Sequence, residues 1–154
     1  MTVNDLSFRK RLNAEINAQN LRRSQSGLPQ VFPVSPRNRP MGYQRVTKRW
    51  LSGNAGRLEI VTYEPQASTV RGELLFVHGA WSSPWYWDTF FLPWFAERGF
   101  RCRALALRGH GGSDGKVRWA SIRNYVDDVH IAAQDLRNPI LIGHSMGGYI
   151  AQKY

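Results

Sequence analysis

The stretch Gly143-His144-Ser145-Met146-Gly147-Gly148 decides how the rest of this sequence is interpreted. It follows the apolar run Ile140-Leu141-Ile142 and leads into residues that begin like a helix. A strand, a sharp turn and a helix around G-x-S-x-G are typical of a nucleophile elbow, which lifts a serine hydroxyl clear of a sheet. Glycine two residues before and after the serine removes Cβ atoms that a tight turn would not accommodate. The alternative is a glycine-rich strand-to-helix connection with an incidental serine.

The composition is that of a globular chain. The 154 residues suit one domain of ordinary size, and 42% of them are hydrophobic. The single cysteine, Cys102, excludes an internal disulfide framework and is expected to be a buried small apolar residue. We predict no metal and no cofactor. No apolar run approaches the ~20 residues of a membrane span, so we expect a cytoplasmic protein.

The net charge of +10 is concentrated near the N-terminus, because residues 1–50 hold ten Lys and Arg against two acids. We therefore predict a basic, poorly ordered extension over 1–44 and a folded domain over 45–154. Within the extension, 5–23 can form a thin amphipathic helix, and 24–40 is a proline-containing linker. A membrane-surface or targeting role for this helix is an alternative. We do not expect nucleic-acid binding, since the basicity belongs to the extension alone.

The domain begins with two strands that form a hairpin, 45–51 and 58–63, which we expect at an edge of the sheet. The continuous apolar run Leu74-Leu75-Phe76-Val77 predicts a central strand covered on both faces. A further strand is predicted over 100–107, and the loop 108–115 is too rich in glycine for regular structure.

Two helices are predicted between these strands. One covers 87–98, ends at Gly99 and is kinked at Pro93. The rings crowded into 81–95 are mostly assigned to its packing on the sheet, whereas Trp81 and Trp85 precede it and are candidates for an apolar acyl or alcohol pocket. The second helix runs from a Ser121 cap to Leu136, with three acidic side chains facing outside: Asp127, Asp128 and Asp135. Strands that alternate with helices predict an α/β fold with a mostly parallel sheet.

Three separated motifs resemble the N-terminal half of a serine-type α/β-hydrolase of the esterase and lysophospholipase type. They are His78-Gly79-Ala80-Trp81, the run from Leu107 to Ser113, and Gly143 to Gly148, in the order and at the intervals of that family. The resemblance covers about 45–154. It implies an α/β-hydrolase fold whose C-terminal half is absent from this sequence.

The resemblance also implies roles for particular residues. Ser145 matches the nucleophile, and the backbone N–H groups of Ala80 and Met146 match the oxyanion hole. A serine at this position, where haloalkane dehalogenases and epoxide hydrolases of the fold carry Asp, implies ester, thioester or amide chemistry on a small substrate. Carbon–carbon bond hydrolases and hydroxynitrile lyases also use serine here, so the reaction class stays open.

The catalytic acid and histidine of that family have no counterpart in this sequence. The nine residues after Ser145 contain no Asp, Glu or His. None of the four histidines matches the base, because His78, His110 and His144 lie within the motifs and His130 lies on a predicted surface helix. We therefore expect the 154 residues alone to be inactive, with an open sheet edge that leads to aggregation or pairing. The alternatives are one half of a split enzyme, completed by a partner chain at that edge, and a non-catalytic interaction protein.

Overall fold

The computed structural model of the chain describes residues 43–154. The helix predicted over 5–23 and the linker predicted over 24–40 lie outside the described residues, so the basic extension remains a prediction.

The described chain has five strands and four α-helices. The strands are β1 (Tyr43–Gly53), β2 (Gly56–Pro65), β3 (Gly72–Val77), β4 (Phe100–Leu105) and β5 (Ile140–Gly143). The helices are α1 (Trp85–Asp88), α2 (Phe91–Ala96), α3 (Ile122–Ala133) and α4 (Met146–Lys153), and a 3₁₀ turn covers Val117–Trp119. Between residues 43 and 154 there is no helix of the length and apolarity that crossing a membrane requires.

One mixed sheet contains all five strands in the order β1-β2-β4-β3-β5. The hairpin of β1 and β2 lies at an edge, as predicted, and β2 pairs antiparallel with β4. Strand β3 lies between β4 and β5 and is parallel to both. The carboxyl ends of these three strands therefore meet at one edge of the sheet, and the three motifs follow them there.

The core lies on both faces of the sheet, because β3 alternates its side chains between them. Leu75 and Val77 face α3 and α4, where Val129 and Ile150 belong to the same buried cluster. Leu74 and Phe76 face the other way, in a cluster that includes Trp87 of α1 and Leu92 of α2. The prediction of a central strand covered on both faces is confirmed.

The prediction of a single helix over 87–98 is wrong. The chain forms α1 and α2 instead, and Phe90 between them has φ −134° and ψ −48°, outside the helical region. Pro93 does not kink a helix, because it is the third residue of α2, where its missing N–H has no helical acceptor to lose. Trp87 is buried as expected, but three rings assigned to the core are exposed: Phe90, Phe91 and Trp94.

Helix α3 begins as predicted and ends three residues early. The Ser121 side chain accepts a hydrogen bond from Asn124 N–H, and the Asn124 side chain accepts one from Ser121 N–H, which completes a capping box.

On β4, Cys102 is fully buried, and burial raises the pKa of its thiol to about 12. Its prediction as a small buried residue is confirmed.

Asp128 was predicted on the solvent-exposed face of α3, and this prediction is wrong, because the residue is completely buried. Its carboxylate pairs with Arg108 at 2.6 Å and accepts the backbone N–H of Arg108 at 2.9 Å. The same carboxylate raises the pKa of Arg108. An ionised side chain can face the core here because the guanidinium supplies both charge and donors.

We expect Asp128→Asn to lower the free energy of unfolding by about 3–5 kcal/mol, because Arg108 would keep a buried charge without a counterion. Denaturant unfolding measures the change. Asp127→Asn, one residue away on the same helix, is the matched control and should change stability by less than about 0.5 kcal/mol. Equal effects of the two substitutions would contradict this account of the pair.

Candidate active site

Ser145 occupies a left-handed backbone conformation between β5 and α4. Its φ is 53° and its ψ is −119°, and its side chain is exposed. A non-glycine residue at positive φ costs about 1–3 kcal/mol and persists only where its surroundings enforce it. Here β5 ends two residues before the serine and α4 begins directly after it. The strand, sharp turn and helix predicted from the motif are all present.

The close approach of α4 to β3 is the constraint that enforces this turn. A Cβ on Gly147 would overlap the carbonyl oxygen of Val77 and lie 2.6 Å from that of His78. A Cβ on Gly143 would overlap the backbone of Gly147. The two glycines of the G-x-S-x-G pattern are therefore required by backbone packing.

The first turn of α4 leaves one backbone N–H without a helical partner directly after the serine. The helix supplies no acceptor for the N–H of Met146, its first residue, because such groups precede the first helical hydrogen bond. The N–H groups of Gly147 and Gly148 are taken by the carbonyls of His144 and Ser145, each at 2.9 Å. The N–H of Met146 is thus suited to an oxyanion beside Ser145.

His78 fixes the loop that follows β3, at the carboxyl ends of the parallel strands. It is fully buried, and its Nε2 accepts the N–H of Leu107 at 3.1 Å. Its Nδ1 therefore carries the proton and donates to the carbonyl of Gly79 at 2.7 Å. Because the Gly79 carbonyl and the Ala80 N–H belong to one planar peptide, this bond also sets the direction of the Ala80 N–H.

The loop with Gly79 lies against the elbow. A Cβ at Gly79 would come within 3.1 Å of His144 Nδ1 and 3.2 Å of the Ser145 Cβ.

Burial, together with the ring of His110 at 5.0 Å, lowers the pKa of His78 to about 4. The imidazole is therefore neutral at neutral pH, and its two hydrogen bonds are compatible with that form alone.

Residues 74–154, more than half of the chain, match the family that is described as Alpha/beta hydrolase family. The chain belongs to the alpha/beta hydrolase family. A non-heme chloroperoxidase from Burkholderia pyrrocinia is 36% identical over 83 residues, which are 53% of this chain and 30% of that protein.

Solved structures show the same fold. An epoxide hydrolase from an endophytic Streptomyces matches 70% of this chain and 32% of its own, with a TM-score of 0.58 and 24% identity. The thioesterase domain from the curacin biosynthetic pathway matches 71% of this chain and 41% of its own, with a TM-score of 0.61 and 24% identity. This hydrolase-family chain therefore spans about a third of the length of the relatives it matches.

The remaining histidines of this hydrolase-family chain make structural contacts. The His110 Nδ1 lies 3.1 Å from the carbonyl of Arg108, and the His144 ring stacks on Tyr86 at 4.8 Å. His130 is exposed, as predicted. Between residues 43 and 154 no histidine or carboxylate forms a hydrogen bond with Ser145, so the described residues place no general base at the hydroxyl.

Trp81 and Trp85, the two tryptophans predicted to form a substrate pocket, are both exposed, and their role remains a prediction. Trp81 follows Ala80, is 85% exposed and has φ 58°. Trp85 is 55% exposed and lines a groove of about 620 Å³, whose walls include neither Trp81 nor Ser145. Across 43–154, no group of three or more His, Cys, Asp or Glu side chains is arranged to hold a metal ion.

The hydrogen bonds that tie the loop after β4 to β2 were missed at the sequence level. Ser113 Oγ accepts the N–H of Glu59 at 2.8 Å and donates to the carbonyl of Ala106 at 2.7 Å. Asp114 accepts the N–H of Arg57 at 2.8 Å. A serine and an aspartate after several glycines are the signal that could have indicated them, since both side chains commonly bond to backbone groups.

We expect Gly147→Ala to destabilise the domain by about 1–3 kcal/mol or more, because its Cβ meets backbone atoms of β3 that cannot move aside. Thermal or denaturant unfolding measures this change. The adjacent Gly148→Ala is the control, since its Cβ would lie 3.5 Å from the nearest atom, the Gly143 carbonyl oxygen. Similar losses in both variants would contradict the close approach as the cause, since alanine is by itself a better helix former than glycine.

We expect the domain to become less stable as the pH falls from 6.5 toward 4, because the fold holds His78 in its neutral form. The folded-state pKa is about 4 and the ordinary value is 6.5, so the unfolded chain binds more protons in this window. The stability that neutral His78 contributes is fully present above pH 6.5, and about 3 kcal/mol is lost by pH 4. Urea unfolding across this range measures the slope.

His78→Gln should flatten that slope, whereas His130→Gln, an exposed control, should leave it unchanged. An NMR titration of the His78 ring in the unsubstituted chain gives a second measurement that needs no variant. A pKa near 6.5 would show that the ring is not held as described.

Proposed function

We propose that this chain carries the nucleophile and the oxyanion-binding groups of a serine hydrolase that acts on small ester or acyl substrates. The conformation of Ser145 is the observation that carries the proposal. A residue with a Cβ is held at positive φ between β5 and α4, with its hydroxyl exposed above the sheet edge. That strain is expected where a serine must be presented to a substrate.

The proposed reaction is acyl transfer to the serine. The Ser145 Oγ attacks the carbonyl carbon, its proton passes to a base, and the carbonyl oxygen becomes an oxyanion that accepts the N–H groups of Ala80 and Met146. The tetrahedral intermediate collapses, the alcohol leaves with a proton, and water then releases the acid from the serine by the same route. The neutral His78 positions one of these donors through the Gly79 carbonyl.

The serine supports acyl chemistry over the opening of epoxides. The likeness to epoxide hydrolase structures lies below 25% identity and is a likeness of fold. The exposed indole of Trp81, next to Ala80, is the group that we propose contacts an apolar acyl or alcohol part of the substrate. Carbon–carbon bond hydrolysis through the same serine is the second reaction that this geometry accommodates.

The base and its acid partner must come from outside residues 43–154. Strand β5 is the last strand in the described sheet order, and its Ile140 is 58% exposed. An apolar edge strand of this kind favours pairing with another strand. We propose that the polypeptide that covers β5, whether from this protein or from a partner chain, also supplies the acid and the histidine.

We expect the 154-residue chain to be acylated slowly at Ser145 by p-nitrophenyl acetate, because oxyanion binding persists without a base. Added imidazole should increase the rate of acylation, since it supplies the base that the described residues lack. Intact-mass spectrometry measures the acetyl adduct, and peptide mapping assigns it. Ser145→Ala provides the background for each imidazole concentration.

Ala80→Pro is the companion variant, because it removes the proposed oxyanion donor and leaves the serine in place. It should reduce acylation by about 10²–10³-fold while Ser145→Ala abolishes it. Equal acetylation of the chain and of Ser145→Ala would favour the non-catalytic alternative and end the proposal.

A further inference from the structure

The turn that precedes α3 presents a tryptophan and three cations to solvent. The 3₁₀ turn covers Val117–Trp119, and the Trp119 indole is 73% exposed. Lys116, Arg118 and Arg123 are exposed as well and lie within four residues of Trp119 in the sequence. These four side chains, one indole and three cations, form a surface termed the basic turn.

Backbone contacts hold the basic turn in place. The N–H of Trp119 donates to the carbonyl of Lys116 at 3.1 Å, and the N–H of Ala120 donates to the carbonyl of Val117 at 3.0 Å. Ala120 packs against the core cluster on the α3 side of the sheet. A Cβ at Gly109 would lie 2.6 Å from the backbone nitrogen of Val117, so the turn rests directly on the loop after β4. The exposure of Trp119 is therefore a property of an ordered turn.

The three cations of the basic turn have no counterions within the described chain. None of them takes part in an ion pair among residues 43–154. Asp114, which precedes the turn, is paired with Arg57 instead. Asp127 lies one helical turn after Arg123 but forms none of these pairs. The surface thus carries three positive charges that an anionic partner could neutralise.

The basic turn lies on the hairpin side of the sheet. A Cβ at Gly115, directly before Lys116, would lie 3.7 Å from the Cβ of Ala55, which connects β1 to β2. Strands β1 and β5 are at opposite ends of the strand order. A polypeptide that pairs with β5 therefore extends the sheet away from the basic turn.

An exposed indole among unpaired cations fits the surface of an anionic bilayer. Tryptophan is enriched where hydrocarbon meets water, because its ring packs against acyl chains while its N–H reaches polar groups. Each Lys or Arg close to an anionic leaflet adds roughly fivefold to the affinity. The Arg118 guanidinium lies over the Trp119 ring, 5.0 Å from its centroid, and a guanidinium can keep such a contact while it binds a phosphate.

Two other partners suit this surface less well. Single-stranded nucleic acid is bound in grooves where successive bases stack on several rings. The basic turn has one ring, and none of its residues lines the groove that contains Trp85. A second copy of the chain would bring the same three cations face to face, which is repulsive.

We propose that the basic turn binds the surface of an anionic phospholipid bilayer. The Trp119 indole enters the interfacial region, and the three cations pair with lipid phosphates and acidic headgroups. The net charge of +10 attracts the whole chain to the same surface, and the turn determines which part of the domain touches it. Binding at this surface does not depend on catalysis by Ser145.

Liposome flotation with the full 154-residue chain tests the proposal, because bound chain rises with the vesicles while aggregates sink. The vesicles contain phosphatidylcholine with or without about 30% phosphatidylserine. We expect the anionic vesicles to bind at least about tenfold more tightly, and added salt to weaken that binding. Inorganic phosphate at the same ionic strength should release no more chain than chloride does.

The combined substitutions Lys116→Gln, Arg118→Gln and Arg123→Gln should weaken binding to the anionic vesicles by about 100-fold, at roughly fivefold for each charge. A matched control changes three exposed cations elsewhere in the described chain to Gln: Arg71, Arg98 and Lys153. It should lose less than about tenfold, because distant charges are screened. Equal losses in the two triple variants, or unchanged binding in both, would assign the attraction to net charge or to residues before 43 and overturn the proposal.

Quenching by lipids with brominated acyl chains reports on the indole directly. Trp119→Phe should remove most of the quenching, whereas Trp85→Phe, at an indole that is 55% exposed, should retain it. Ser145→Ala should bind vesicles normally, which separates this surface from the proposed esterase. Quenching that persists in Trp119→Phe, or tighter binding to a single-stranded oligonucleotide than to the vesicles, would contradict the assignment.

Discussion

The rest of the structure depends on how closely the first turn of α4 approaches the end of β3. Gly147 lies against the carbonyls of Val77 and His78 at a distance that excludes any side chain. This approach leaves the chain between β5 and α4 too little length for a relaxed turn, so Ser145 takes positive φ. It also places the helix start beside the loop that follows β3. One backbone contact thereby sets the serine, the N–H of Met146 and the neighbouring loop.

Two buried polar groups fix the positions of the loops around that contact. His78 joins the end of β3 to the chain after β4 through Leu107. Arg108, the next residue, is fixed to α3 by Asp128. None of the buried side-chain nitrogen or oxygen atoms of His78, Arg108 or Asp128 lacks a hydrogen-bond partner, as polar groups in a dry interior require. The loops at the carboxyl ends of the parallel strands are therefore held by specific hydrogen bonds as well as by apolar packing.

The sequence predicts the elbow well because the glycine spacing reports a backbone constraint that leaves little choice of residue. The central strand was also predictable, because the continuous apolar run from Leu74 to Val77 must be covered on both faces. The break between α1 and α2 was not, because nothing in the local propensity of Thr89 and Phe90 requires it. Asp128 was assigned to the surface because charge alone favours that, and its partner lies 20 residues away. Trp81 and Trp85 were assigned to one pocket because both precede the predicted helix; the groove that Trp85 lines does not include Trp81.

The order of the strands has a consequence for the way the chain folds. The hairpin joins residues that are near neighbours, with Gly53 opposite Gly56, and needs only a short loop to close. Strand β5 instead pairs with β3, with Leu74 opposite Ile140, so a long intervening segment must be ordered before the two meet. The serine geometry exists only after that meeting. We therefore expect the turn with Ser145 to be among the last parts to form, and among the first lost when the native state opens locally.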